Sequence, residues 1–124
     1  MEFNQYNTTV QQWIHTVLEN RETNADVVLE CCRNIIAYGR ETDDPKLMGF
    51  GFFYGGEIYY ELNDGAHFFH MMTEALTYLD RAEEWELVVR CYNFLGIASM
   101  SRGNPSIVII PILLHYFLLI SCHS

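Results

Sequence analysis

Apolar side chains in this chain recur at intervals of three and four, the spacing that lines one face of a helix, and almost nowhere at the interval of two expected of a half-buried strand. Val10, Trp13, Ile14, Val17 and Leu18 predict a first helix from about Thr8 to Asn20. A second starts after Asn24, a favourable N-cap, and carries Val27, Val28, Cys31, Ile35 and Tyr38 before Gly39. Asp43, Asp44 and Pro45 open a third, because Pro fits a first helical turn and acids complement its dipole. That segment ends at Leu62, and Asn63 and Asp64 break the chain before a fourth helix through Phe68, Phe69, Met72, Ala75, Leu76 and Leu79. A fifth, from about Glu83 to Arg102, carries Trp85, Leu87, Val88, Tyr92, Leu95 and Ala98, and Gly103 and Asn104 stop it. The remaining apolar run, residues 107–120, makes a sixth. The expected fold is all-α.

Two features refine this picture. The third segment holds Gly49, Gly51, Gly55 and Gly56, and each glycine costs up to about 1 kcal/mol inside a helix. Close approach by a neighbouring helix is the expected compensation, since a backbone without Cβ can pack where a side chain collides. Shifting the sequence by forty residues also aligns Asn24, Asp64 and Asn104 as equivalent N-caps, with Leu47 on Leu87, Phe52 on Tyr92, Gly56 on Gly96 and Tyr38 on Tyr78. Short loops between helices of similar length require antiparallel neighbours. The expectation is three antiparallel helix hairpins, at about residues 8–39, 45–80 and 83–120, stacked in a single domain over residues 1–124.

These positions resemble a tetratricopeptide (TPR) repeat, in which a bulky residue, Leu-Gly and an aromatic precede an Ala-Leu pair late in the second helix. Phe52, Gly55-Gly56, Tyr59, Asp64 and Ala75-Leu76 fill one repeat, and Tyr92, Leu95-Gly96, Ser99 and Gly103-Asn104 begin the next. Phe68 stands where a small residue is usual, Ser99 replaces an aromatic, and forty exceeds the common repeat of about thirty-four residues. The phrase YNFLGIASMSRGN, residues 92–104, is similar to TPR-like sensory regions that precede GGDEF diguanylate cyclase domains in bacteria. The resemblance implies a right-handed superhelix and a protein- or peptide-binding or sensory module of a bacterial signalling protein, as the N-terminal part of a longer diguanylate-cyclase-type regulator. The alternative is a stand-alone structural or dimerisation domain without a small ligand. Gly55-Gly56-Glu57 is followed by Ile58 and Tyr59 rather than an acid and Phe, so no cyclase activity is implied. By the same resemblance the concave, partner-binding face consists of Phe50, Phe53, Glu57 and Tyr60 on the third helix and Arg90, Asn93, Ile97 and Met100 on the fifth. Each set is spaced three, four, three and forms one stripe. Alternatively, Phe53 and Tyr60 complete the core beneath the first helix.

Composition removes several classes of partner. Hydrophobic residues make up 50% of the chain, which excludes intrinsic disorder. A formal charge of -9, from 16 acids against 7 Lys and Arg, would repel a phosphate backbone, so nucleic acid and anionic membrane are not expected partners. The residues 107–120 would span only about 21 Å as a helix, short of a hydrocarbon core of about 30 Å. Their uniform apolarity points to self-association, a homodimer through Ile109, Ile112, Leu113, Tyr116 and Phe117. Cys31, Cys32, Cys91 and Cys122 lack the spacing of ligand or bridge pairs and read as free thiols in a reducing, cytoplasmic setting.

Candidate chemistry is sparse. His67, His70 and Glu74 share a helical face, but a bundle metal site needs a matching set opposite, and only Glu57 and Glu61 are near in the expected pairing. Cys91 has no recognisable base or orienting group, and the glycine run lacks the Lys-Ser or Lys-Thr of a phosphate loop. No metal, cofactor or catalytic residue is expected. The pattern points to binding rather than catalysis.

Overall fold

The computed structural model describes residues 1–101, and these form five helices without a strand: α1 (Thr8–Asn20), α2 (Ala25–Glu41), α3 (Pro45–Glu61), α4 (Gly65–Arg81) and α5 (Trp85–Ser101). The expected helix over 107–120, the Asn104 cap and the self-association residues Ile109, Ile112, Leu113, Tyr116 and Phe117 lie outside the described residues. At the helix starts, side chains satisfy the orphan N–H groups of a first turn, at Asn24 and Asp64 as the sequence predicts and at Asp44 besides. Asn24 accepts from the Val27 N–H (3.3 Å), Asp44 from Leu47 (3.2 Å) and Asp64 from His67 (3.2 Å). Asn7 caps α1 through the Val10 N–H (2.9 Å).

The helix stops are more regular than the caps. Asp43, Asn63 and Glu83, each twenty residues from the next, have φ of 51°, 58° and 58°, in the left-handed region. Their N–H groups return to Arg40, Tyr60 and Asp80, three residues back (3.4, 3.1 and 3.1 Å). The following N–H groups, of Asp44, Asp64 and Glu84, reach five residues back to Gly39, Tyr59 and Leu79 (2.8, 3.0 and 3.0 Å). This paired closure normally places Gly at the left-handed position. Here none of the three is Gly, and Asp44 and Asp64 each end one helix and cap the next.

A left-handed Glu carries a backbone cost of about 1–2 kcal/mol that Gly avoids, whereas Asn tolerates the region. Glu83→Gly is therefore expected to stabilise the chain by about 0.5–1 kcal/mol after the added freedom of the unfolded glycine is subtracted. Asn63→Gly is expected to change little. Urea midpoints at unchanged slope read the difference, and a lower midpoint for Glu83→Gly would contradict it.

The chain divides into two compact units, residues 1–84 and the part that begins at Trp85. In the first, α1 packs on α2, α2 on α3 and α3 on α4. The contacts run antiparallel. The beginning of α1 meets the end of α2 through Trp13 and Tyr38 (6.5 Å between rings), and the end of α3 meets the beginning of α4 through Tyr60 and Phe68 (5.4 Å). Three of these helices bury one stripe: Val10, Ile14 and Val17 on α1; Val28, Cys32, Ile35, Ile36 and Gly39 on α2; Phe68, Met72, Ala75 and Leu79 on α4. α3 differs, because every residue from Leu47 to Ile58 is buried. It is the core of this unit.

The glycines make that burial possible. A Cβ on Gly51 would stand 2.6 Å from Ile36 Cγ1 and 3.0 Å from the Cys32 carbonyl oxygen of α2, and one on Gly49 would stand 2.6 Å from Leu79 Cδ2 of α4. Missing side chains on opposite flanks of α3 thus let both neighbours approach. Gly39 belongs to the same arrangement and does not end α2, which continues to Glu41. In the second unit, α5 buries Leu87, Val88, Cys91, Leu95 and Ala98. It begins at Trp85, two residues after the expected start, because Glu83 occupies the left-handed stop.

Candidate functional site

Along α3, the residues expected on a concave face divide by environment. Phe50 (1% exposed) and Phe53 (0%) are core, Glu57 is 8% exposed, and Tyr60 is half-buried against Phe68. Phe50, Tyr54 and Glu57 follow helical spacing and form a continuous column. Phe3 meets the Phe50 ring edge-on (centroids 5.2 Å apart, 77°), and Phe50 lies 4.6 Å from Tyr54. The Arg21 guanidinium sits 4.9 Å above the Tyr54 ring and forks onto Glu57, with Nε donating to Oε1 and Nη2 to Oε2, both at 2.7 Å.

The position of Arg21 explains this fork. It is the C-cap of α1, where the chain turns towards α2, and its side chain crosses to Glu57 in the fourth turn of α3. Charge-assisted, bidentate geometry of this kind fixes orientation as well as supplying energy. Glu57 beside it holds the guanidinium pKa above its ordinary value. The α3 stripe is consequently internal structure, with its polar member satisfied from α1, and offers little open surface. Phe53 is buried in the core, whereas Tyr60 stays half-buried against Phe68 of α4. Tyr54, which joins the column, escaped the sequence reading, although its place four residues after Phe50 and three before Glu57 was the available signal.

On α5, Asn93 is exposed, Ile97 is 51% exposed and Met100 59%, while Arg90 is half-buried. Their spacing keeps them on one face of that helix. Large apolar side chains are exposed singly on most proteins, but two a turn apart on one stripe form a patch.

The face carrying His67, His70 and Glu74 has a different arrangement. His67 Nδ1 lies 2.8 Å from Asp64 Oδ2, and its ring stacks on Tyr59 (4.8 Å, 20°). The backbone N–H of His67, and then its ring, hold the Asp64 carboxyl below the usual carboxylate range. These groups complete an N-terminal cap, and among the described residues no three His, Cys, Asp or Glu side chains gather in a way that could hold a metal ion.

The thiols also separate. Cys32 and Cys91 are buried and Cys31 is half-buried, so the adjacent pair splits between core and flank. Burial pushes the Cys91 thiol up to about 12 and that of Cys32 higher still. Burial, followed by its bond to Asp44, likewise raises the Tyr6 phenol. In the unfolded chain such thiols ionise from about pH 9. The unfolded state then holds fewer protons than the folded one, so the stability these groups contribute is complete below pH 9 and is lost as pH rises towards 12. Each thiol gives a limiting slope of about 1.4 kcal/mol per pH unit. Denaturant titrations between pH 8 and 11 should show this fall, and Cys32→Ala/Cys91→Ala should flatten it whatever its stability at pH 7. An equal slope in the variant would contradict the assignment.

Among the described residues, no helix is long and apolar enough to cross a membrane. Comparison of the chain with protein-family models, with curated proteins and with solved structures finds no match.

Proposed function

We propose that this protein is a binding scaffold of TPR-like stacked helical hairpins, which docks a protein or peptide segment and catalyses no reaction. The recurrence of one helix stop every twenty residues, between helices of equal length, carries this reading. A chain that repeats one supersecondary unit forms an extended surface by stacking, and such surfaces serve recognition. With the α3 stripe committed to the core, the partner surface falls to Asn93, Ile97 and Met100 on α5, with Arg90 at its edge. Two exposed apolar anchors beside an amide and a guanidinium suit a peptide that is apolar at its centre and carries an acid.

The likeness of residues 92–104 to cyclase-associated repeats supports a setting in bacterial cytoplasmic signalling, in front of a diguanylate cyclase output domain. A homodimer through Ile109, Ile112, Leu113, Tyr116 and Phe117 belongs to the same proposal. A monodisperse monomer in sedimentation across micromolar concentrations would remove that part.

Panning a displayed peptide library against the folded protein tests the main reading. The expected result is convergence on related peptides whose affinity drops at least about tenfold, or 1.4 kcal/mol, for Ile97→Asp/Met100→Asp. Peptides that fail to converge, or that bind this variant as well as the parent, would refute the surface.

A further inference from the structure

Residues 1–7 precede the first helix, yet they are attached to α3 by side chains that read two aromatic residues. The Tyr6 N–H donates to the Phe3 carbonyl (3.2 Å), a single turn that brings the two rings to 6.2 Å and turns both towards the beginning of α3. Phe3 packs edge-on against Phe50, with the Lys46 ammonium 5.1 Å from its ring centroid. Lys46 Nζ also donates to the Glu2 carbonyl. The Tyr6 hydroxyl donates to Asp44 Oδ2 (2.8 Å), while the other oxygen of that carboxylate, Oδ1, caps α3 through the Leu47 N–H. One aromatic anchor, one phenol and one carbonyl are met by Phe50, by the α3 cap Asp44 and by Lys46 respectively.

We propose that this end of α3 is a docking site for a short turn-forming segment of pattern Phe-x-x-Tyr, occupied here in cis by residues 2–6, and that a protein partner bearing the same pattern takes their place.

Three observations carry the proposal. The anchors of the segment on α3 are distinct from the helix caps, since Asn7 caps α1 through Oδ1 and Asp44 caps α3 through Oδ1, while Tyr6 uses Asp44 Oδ2. On the α1 side the segment is tied by the Tyr6 carbonyl, which accepts from the exposed Gln11 Nε2 (2.7 Å). Its recognition is made almost entirely by side chains, with an apolar ring seated under a cation and a hydroxyl donating to a fixed carboxylate, which is how peptide anchors gain specificity. Its departure would uncover Phe50, the head of the column that continues through Tyr54 to the Arg21–Glu57 fork. The raised pKa of the Tyr6 phenol keeps it protonated and able to donate. A phosphate on that oxygen would remove the donor and set a dianion against Asp44, which makes the latch sensitive to tyrosine phosphorylation.

The test uses the full chain and a fluorescent synthetic peptide with the sequence of residues 1–7. A segment tethered in cis competes at an effective concentration near millimolar, so unlatching the chain by Phe3→Ala/Tyr6→Phe should tighten binding of the peptide by at least about tenfold. On the unlatched chain, a peptide with Ala for Phe3, a peptide phosphorylated at Tyr6, and the added change Lys46→Ala should each weaken binding. Equal affinity for parent and unlatched chains, no saturable binding to the unlatched chain, or indifference to all three changes would overturn the proposal. Loss of helical circular dichroism on unlatching would overturn it too, because the strap would then be part of the folding core. A second measurement needs no variant: the Tyr6 amide in the parent protein should exchange with solvent more slowly than in the free peptide, and equal rates would also overturn it. None of these readouts involves α5, so the strap site and the α5 surface stand or fall separately.

Discussion

Gly51→Ala will destabilise this protein while Gly55→Ala, one helical turn away, will not. Both substitutions gain up to about 1 kcal/mol of helix propensity, so the sign of each outcome rests on what the new methyl meets. At position 51 it would stand 2.6 Å from Ile36 Cγ1 and 3.0 Å from the Cys32 carbonyl oxygen. Cγ1 of a β-branched side chain within a helix has few places to go, and the carbonyl belongs to the α2 backbone, so relief requires that α2 and α3 separate. Overpacking of this kind costs about 1–3 kcal/mol and outweighs the propensity gain. A net loss of about 1–2 kcal/mol is expected, and Gly51→Leu should prevent folding. At position 55 the close neighbour is the terminal methyl of Met71, the far end of a flexible side chain, and the next is Cys32 Cβ at 3.8 Å. Met71 can rotate aside, so Gly55→Ala should be neutral or gain up to about 1 kcal/mol. Urea unfolding of the two variants decides the matter, and equal midpoints would mean that the helices are spaced by something other than Gly51.

The same glycines show what the sequence conveyed and what it withheld. Propensity marks a run of glycines as costly and therefore compensated, and close approach by neighbouring helices is the compensation found. It cannot say which glycine serves which neighbour, because α3 is apolar on all sides and has no period from which to choose a face. For the same reason Phe50 and Phe53 fitted an open stripe as well as they fitted the core. Gly39 misled in the other direction. Its weak propensity reads as a helix end, but Leu47 and Met48 pass so close that a Cβ there would lie 3.1 Å from the Met48 backbone nitrogen. Caps were legible at Asn24 and Asp64 because a short polar side chain before an apolar run has one favourable use. The stops were not, since Asp43, Asn63 and Glu83 occupy positions where the usual signal is Gly. The forty-residue alignment accordingly concealed a twenty-residue rhythm in the connections.

The second large effect concerns the fork that closes the α3 column. Arg21→Met should cost about 2 kcal/mol, below the 3–5 kcal/mol typical when one partner of a fully buried pair is removed. The Arg21 side chain is 30% exposed against 11% for Glu57, so water shares part of the work of solvating the pair. What remains in the variant is a nearly buried carboxylate that has lost two hydrogen bonds of 2.7 Å and the cation above Tyr54. Glu57→Gln should cost less, because a neutral amide is easier to leave in that place and its oxygen still accepts from Arg21. The informative variant is the double change Arg21→Met/Glu57→Leu, which removes both charges and fills the volume with apolar atoms. Since desolvation offsets most of the attraction within a buried pair, the double variant should be more stable than Arg21→Met and close to the parent. Chemical denaturation of the parent, Arg21→Met, Glu57→Leu and the double variant at neutral pH measures the cycle. Additive losses, with the double variant the least stable of the four, would show that the two residues act apart and that the fork does not tie α1 to α3.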